Sequence, residues 1–114
     1  MVISQGDVVW AEIPIPSGSE AGFRRPIVVV QGEAFNRSDI ATVVCVPLTS
    51  KLRWAAAPGN VLLSRKSTGL AKDSIANVSQ ILTIDRQFLS RRVGSISKAD
   101  LQSILMGIDI VLGR

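Results

Sequence analysis

Four short apolar runs, in GDVVWAEI, IVVVQ, ATVVCVPL and NVLL, are separated by loops rich in glycine, proline and serine, and helical spacing appears only at the end of the chain. This order, strands first and one helix last, constrains the fold more than any other feature. Gly6 to Ile13 reads as a strand, stopped by Pro14 and Pro16. The loop that follows runs to Arg24, and Pro26 opens the next strand. Ile27 to Val30 is apolar at every position, which predicts a strand covered on both faces. Asn36 to Asp39 reads as a loop. Ala41 to Leu48 is another buried strand, with Pro47 marking its end or a bulge. Ser50 to Gly59 is a long loop, Asn60 to Leu63 a short strand, and Ser67 to Lys72 a connection. Ser74 to Val78, Ile81 to Ile84 and Val93 to Ile96 are further strand-like pieces. Asp85 is placed to cap a short helix reaching about Ser90. Ser97-Lys98-Ala99-Asp100 resembles a capping box with Asp in place of Glu. Beyond it Leu101, Ile104, Leu105, Ile108, Val111 and Leu112 form one apolar helical face, expected to be core, and Gly113 ends the helix. The predicted class is α+β, mainly β: a small barrel with a C-terminal amphipathic helix.

With 114 residues, 46% of them hydrophobic, and a mean hydropathy of +0.33, the chain suits one domain and leaves apolar surface for a subunit interface. No apolar run approaches the ~20 residues of a membrane helix. MVISQGD lacks the regions of a signal peptide, so a cytoplasmic protein is expected. The single cysteine, Cys45, excludes an internal disulfide framework and reads as a small core residue. There is no histidine, which removes the usual general base, nucleophile activator and transition-metal ligand. The nine acids are scattered, so neither metal nor cofactor is expected. Any catalysis must run on Arg, Lys, Asp/Glu and Ser/Thr.

Net charge is +4, and its distribution matters more than its size. No acid falls between Asp39 and Asp73, whereas Lys51, Arg53, Arg65, Lys66 and Lys72 do. A polyanion such as nucleic acid suits this pattern; a merely basic, solvated surface is the alternative. Trp54 lies among Lys51 and Arg53 in SKLRWAAAPG, where an aromatic beside cations suits stacking on an unpaired base. Packing under the loop or filling an interface is the other reading for Trp54. Phe23 is a second stacking candidate. Arg24 and Arg25 end the loop GSEAGFRRP against a buried strand, where charge needs a partner or solvent. Arg25 could pair with Asp7 or Glu12 across strands, or bind a phosphate.

GDVVWAEI, the P-x-x-GSE-x-x-x-x-RP segment, IVVVQ, VPLTS and KDSIANVSQILTID together resemble the MazF/PemK (Kid-like) toxins of bacterial toxin–antitoxin systems. The resemblance runs along nearly the whole chain in order. It implies an SH3-like barrel of the MazF/PemK/CcdB-like kind, a homodimer, and ribosome-independent endoribonuclease activity on single-stranded RNA. It also implies a cognate MazE-like antitoxin whose acidic tail occludes the active site, with operator DNA contacted only through the toxin–antitoxin complex. Arg25 and Thr49 fall on the catalytic pair of the chromosomal branch. Ser19 and Glu20 fall in the loop near substrate, with Arg24 beside them for substrate tracking or an antitoxin contact, and Gln80 falls near the central RNA groove. The plasmid branch carries a histidine, an arginine and an aspartate where this chain has Ser19, Asn77 and Ser79. Leu82 replaces an arginine of the common Gln-x-Arg-Thr-Ile-Asp run.

Metal-free RNA cleavage needs a base for the 2′-OH, donors for the phosphorane oxygens and an acid for the leaving 5′-oxygen. A guanidinium fork suits the second role, so Arg25 is assigned to the phosphate, with Thr49 as a neutral donor. Preorganised donors of this kind contribute ~3–4 kcal/mol each in a dry site. Guanidinium is a poor base, which leaves Glu20 as the local candidate, with a solvated loop acid as its bland reading. Two other readings stay open: a gyrase-poisoning toxin of the same fold, and a non-catalytic RNA-binding barrel.

Overall fold

The β-branched runs become strands. The computed structural model describes residues 1–13 and 23–114, and of Phe23 only the backbone. Among the described residues the strands are β1 (Asp7–Ile13), β2 (Phe23–Val29), β3 (Thr42–Thr49), β4 (Val61–Leu63), β5 (Ser74–Ala76), β6 (Leu82–Asp85) and β7 (Leu89–Ser95). They form one antiparallel sheet in the order β4-β5-β3-β2-β1-β7, with β6 also on β3. The sheet curls into a half-barrel, completed by α1 (Glu33–Asn36), α2 (Arg65–Thr68) and the C-terminal α3 (Lys98–Leu112).

Side-chain alternation along β2 splits the apolar run between two cores. Ile27 and Val29 join Val9, Ala11, Val43, Cys45 and Ile84 on one face. Val28 and Val30 join Val8, Val46, Leu48, Val78, Ile104 and Ile108 on the other. All four residues of the run are buried, as expected for a strand covered on both faces.

β3 organises the sheet. Its first half pairs β6, from Thr42↔Asp85 to Cys45↔Leu82. Its end pairs β5, at Leu48↔Ala76 and Thr49↔Ile75. Between these stretches the partner segment takes extra residues, folded into a 3-10 turn at Val78–Gln80. Pro47 lies opposite that turn. It has no N–H to donate, and its carbonyl accepts from the Asn77 N–H at 3.0 Å. Pro47 therefore does not end the strand, which continues to Thr49.

Several local expectations are corrected. Arg24 lies within β2, where it pairs with Glu12, rather than in the preceding loop. Single helical turns, α1 and α2, run into the predicted connections at Asn36 and at Ser67–Thr68, and the long loop after Ser50 holds a 3-10 turn at Leu52–Ala56. Asp85 does cap a turn, its Oδ1 accepting from the Gln87 N–H at 2.9 Å, but this is the 3-10 turn Arg86–Phe88. Ser97 Oγ caps α3 by accepting from the Asp100 N–H at 3.1 Å. The Asp100 carboxylate does not complete the box; its Oδ2 accepts from Ser67 Oγ at 2.6 Å. Ile104 and Ile108 are buried, whereas Val111 and Leu112 are exposed.

α3 lies against β4 and the Val78–Gln80 turn. The approach is so close that a Cβ on Gly107 would overlap the Gly59 carbonyl oxygen, and a Cβ on Gly59 would come within 2.9 Å of the Gly107 carbonyl oxygen. Gly59 also has φ +82, a backbone conformation that glycine adopts without strain.

Candidate active site

β2 and β3 pair from Val29↔Cys45 to Ile27↔Pro47. Two further steps of that register would set Arg25 opposite Thr49. The ladder ends before they meet, and a pocket of about 390 Å³ opens there. Its wall includes Arg25, Thr49, Arg24, Lys51, Lys72 and Trp10. The sequence separates Arg25 from Thr49 by a strand connection; the β2–β3 register brings them to one cavity.

Arg25 is carried on a rigid element. Pro26 restricts φ on one side, and Arg25 itself pairs with the small, buried Ala11 on β1. Asp7 is paired with Arg92 at 3.7 Å, and Glu12 with Arg24 at 3.7 Å. The Thr49 Oγ1 accepts from the Lys51 backbone N–H at 3.2 Å. That bond occupies a lone pair and leaves the hydroxyl proton to donate.

Adjacent strand residues point to opposite faces, so Arg24 and Arg25 are not equivalent. Arg24 shares a face with Trp10 and Glu12. Its guanidinium lies 4.3 Å from the centre of the Trp10 ring. Neither Trp10 nor Lys72 is a site candidate in the sequence, although Lys72 belongs to the acid-free basic run between Asp39 and Asp73. A signal for Lys72 existed: it is a cation just ahead of the buried strand β5, as Arg24 and Arg25 are ahead of the buried run Ile27 to Val30.

Of the other expected contacts, Lys51 lines the pocket, and Arg53 and Trp54 do not. Trp54 sits on the 3-10 turn, 43% exposed as a residue, with the Arg53 guanidinium 5.7 Å from its ring centre. Asn77 and Gln80 also lie outside the pocket, on the turn between β5 and β6. The Asn77 Oδ1 accepts from Ser79 Oγ at 3.3 Å and from Asn60 Nδ2 at 3.4 Å. Ser19 and Glu20 lie outside the described residues, as does the Phe23 side chain. Cys45 is fully buried, and burial pushes its thiol up to about 12, so it offers no nucleophile. Among the described residues, no three acid or cysteine side chains are grouped to hold a metal ion.

Residues 4–112 match the family described as "PemK-like, MazF-like toxin of type II toxin-antitoxin system". The chain belongs to this toxin family. It is 39% identical over 112 residues to endoribonuclease MazF6 of Mycobacterium tuberculosis, covering 98% of each chain. It is 30% identical to endoribonuclease EndoA of Bacillus subtilis, covering 98% of this chain and 96% of that one. In fold it is similar to MazF in the MazE–MazF structure (Form-II) from Deinococcus radiodurans, with TM-score 0.81 and 22% identity over 99% of this chain and 97% of that one. It is also similar to a mycobacterial endoribonuclease solved with its cognate antitoxin, with TM-score 0.72 and 22% identity over 98% and 94%. The MazF/PemK resemblance and the strand-rich half-barrel with a terminal helix both stand. Arg25 and Thr49 line the same pocket, to which Arg24 also contributes.

Proposed function

We propose that this chain is the toxin of a toxin–antitoxin pair, an endoribonuclease that cuts single-stranded RNA without a metal ion. The observation that carries the proposal is the meeting of Arg25 and Thr49 in one cationic pocket, in a chain whose relatives are named endoribonucleases. Those names favour this reading over gyrase poisoning. The 2′-oxygen attacks phosphorus and the bond to the 5′-oxygen breaks, giving a cyclic phosphate and a 5′-hydroxyl. Arg25 holds the phosphorane oxygens and protonates the leaving oxygen, and the Thr49 hydroxyl donates a second hydrogen bond. Glu20 takes the proton of the 2′-OH. Ser19, Phe23, Arg24, Lys51, Arg53, Trp54, Asn77 and Gln80 contact the substrate.

The partners follow from the same site. An acidic antitoxin segment would compete with RNA for the cationic pocket, as suits relatives solved with their antitoxins. A homodimer would cover exposed apolar side chains such as Val2 and, on α3, Met106, Ile110 and Leu112. No helix among the described residues is long and apolar enough to cross a membrane, and the cytoplasm is where RNA and antitoxin would be met.

The deciding experiment incubates pure protein with mixed-sequence RNA and EDTA, then maps the ends. Cuts at a short sequence, leaving 5′-hydroxyl ends, are expected. Binding without cuts would leave the non-catalytic barrel, and cuts abolished by EDTA would reject the metal-free mechanism. Glu20→Gln is expected to lower the rate and alter its pH dependence; an unchanged profile would remove Glu20 from the mechanism.

A further inference from the structure

A second cavity of about 410 Å³ adjoins the first. Ser50, Ala71 and Lys72 line both, and Leu52, Arg65 and Asp73 complete its wall. Both volumes lie at the small end of the ~300–1,000 Å³ occupied by ligand sites, suited to one nucleotide each.

The electrostatics of the shared wall favour an anion. Lys72 and Arg65 take part in none of the ion pairs found among the described residues. The acid beside them, Asp73, has its Oδ1 occupied by the Arg65 backbone N–H at 2.8 Å. The segment is held at both ends. Before it, Gly69 caps α2 through a 2.9 Å bond from its N–H to the Arg65 carbonyl. After it, β5 is paired on both edges. Lys72 is therefore an available cation on a fixed backbone.

A strand passing between these cavities must carry a phosphodiester across the wall they share. We infer that the two cavities are consecutive nucleotide sites, and that Lys72, backed by Arg65, holds the phosphate adjacent to the scissile one. Leu52 supplies apolar surface to the base or ribose in the second cavity. This inference deepens the endoribonuclease reading and rests on it. Lys72 is a positioning residue: it holds the strand equally before and during the cut, without touching the reacting atoms.

The test uses a short RNA spanning the mapped cleavage site, made uncleavable by a 2′-deoxy sugar at the attacking nucleotide. If the wild type cuts nothing, the probe is an oligouridylate decamer. Affinity is measured by anisotropy across salt concentrations for wild type, Lys72→Ala and Lys72→Arg, after thermal melts confirm equal folding. Lys72→Ala should bind about tenfold more weakly, and its salt slope should fall by about 0.7, the value for one lost phosphate contact on a single strand. Lys72→Arg should retain the wild-type slope. A methylphosphonate at the adjacent phosphate should weaken the wild type by the same factor and leave Lys72→Ala unaffected. On cleavable RNA, KM should rise with the saturating rate unchanged. A wild-type slope and KM in Lys72→Ala, or a methylphosphonate penalty that simply multiplies with that of the variant, would overturn the inference. Failure of the nuclease reading looks different: the wild type binds RNA and does not cut it, while the anisotropy result still decides the Lys72 site.

Discussion

The Arg24 guanidinium lies 4.3 Å from the Trp10 ring centre and 3.7 Å from Glu12, whereas the next residue, Arg25, is paired with Ala11. Arg24 is thus held by an aromatic face and a half-exposed acid, contacts that contribute about 0–1 kcal/mol each. Arg25 is the one that two further steps of the β2–β3 register would set opposite Thr49. Cleavage rates should separate them. Arg25→Ala should lose about 10²–10³-fold, the effect of removing a preorganised charge-stabilising donor, and Thr49→Val should fall short of that loss. Arg24→Ala should reduce the rate only a few-fold, mostly through KM. Equal losses for the two arginines would contradict this division.

Acid stability should depend on Glu33. Its Oε1 accepts from the Gln5 backbone N–H at 2.6 Å and from Asn36 Nδ2 at 2.8 Å, and these bonds lower its pKa below the ordinary 4.5. A carboxylate whose folded pKa is depressed stabilises the fold above its unfolded pKa, and loses that contribution as pH falls through the folded value. Urea midpoints should therefore drop as pH is lowered from about 5 toward 3. Glu33→Gln should be less stable than wild type at neutral pH and should show a shallower acid limb. Parallel pH curves for the two proteins would contradict this.

Cys45 should be silent in the native protein. A thiol raised to about 12 and fully buried has almost no thiolate at neutral pH. Iodoacetamide labelling should proceed at the rate of unfolding, and should accelerate to ordinary thiol rates in urea. Rapid labelling without denaturant would show that the β2–β3 core opens.

Local pattern made part of this molecule legible. The unbroken apolar run at Ile27–Val30 required cover on both faces, and Ser97 with Gly113 marked both ends of α3. Pro26 misled, because a proline reads as a strand start. β2 in fact begins before it, since Pro26 lies one step beyond the end of the β3 pairing while β1 still pairs opposite it. α1 and α2 are single turns, too short for periodicity to reveal. Helical spacing extended the apolar face to Val111 and Leu112, which are exposed, since spacing carries no information about what lies opposite a helix. At the site, the RRP and VPLTS motifs marked Arg25 and Thr49. Lys72 was legible only as one cation of a basic run, and Trp10 joins the site through cross-strand geometry, which no window of sequence contains.

The glycine pair where α3 meets the loop before β4 predicts its own fragility. Gly107→Ala should lower stability by about 1–3 kcal/mol, as overpacking does, and a thermal melt reads it directly; an unchanged Tm would mean that the helix can lift without loss.

This contact also limits how such damage could be repaired. A crowded core is ordinarily relieved when a bulky neighbour is exchanged for a smaller one. Opposite Gly107 stands another glycine, already reduced to bare backbone, so no exchange at Gly59 can return the lost space. Second-site revertants of Gly107→Ala should therefore alter the length or path of the segment from Ser50 to Asn60. That same segment begins at the wall shared by the two cavities, so a repaired toxin should cut RNA with an altered sequence preference.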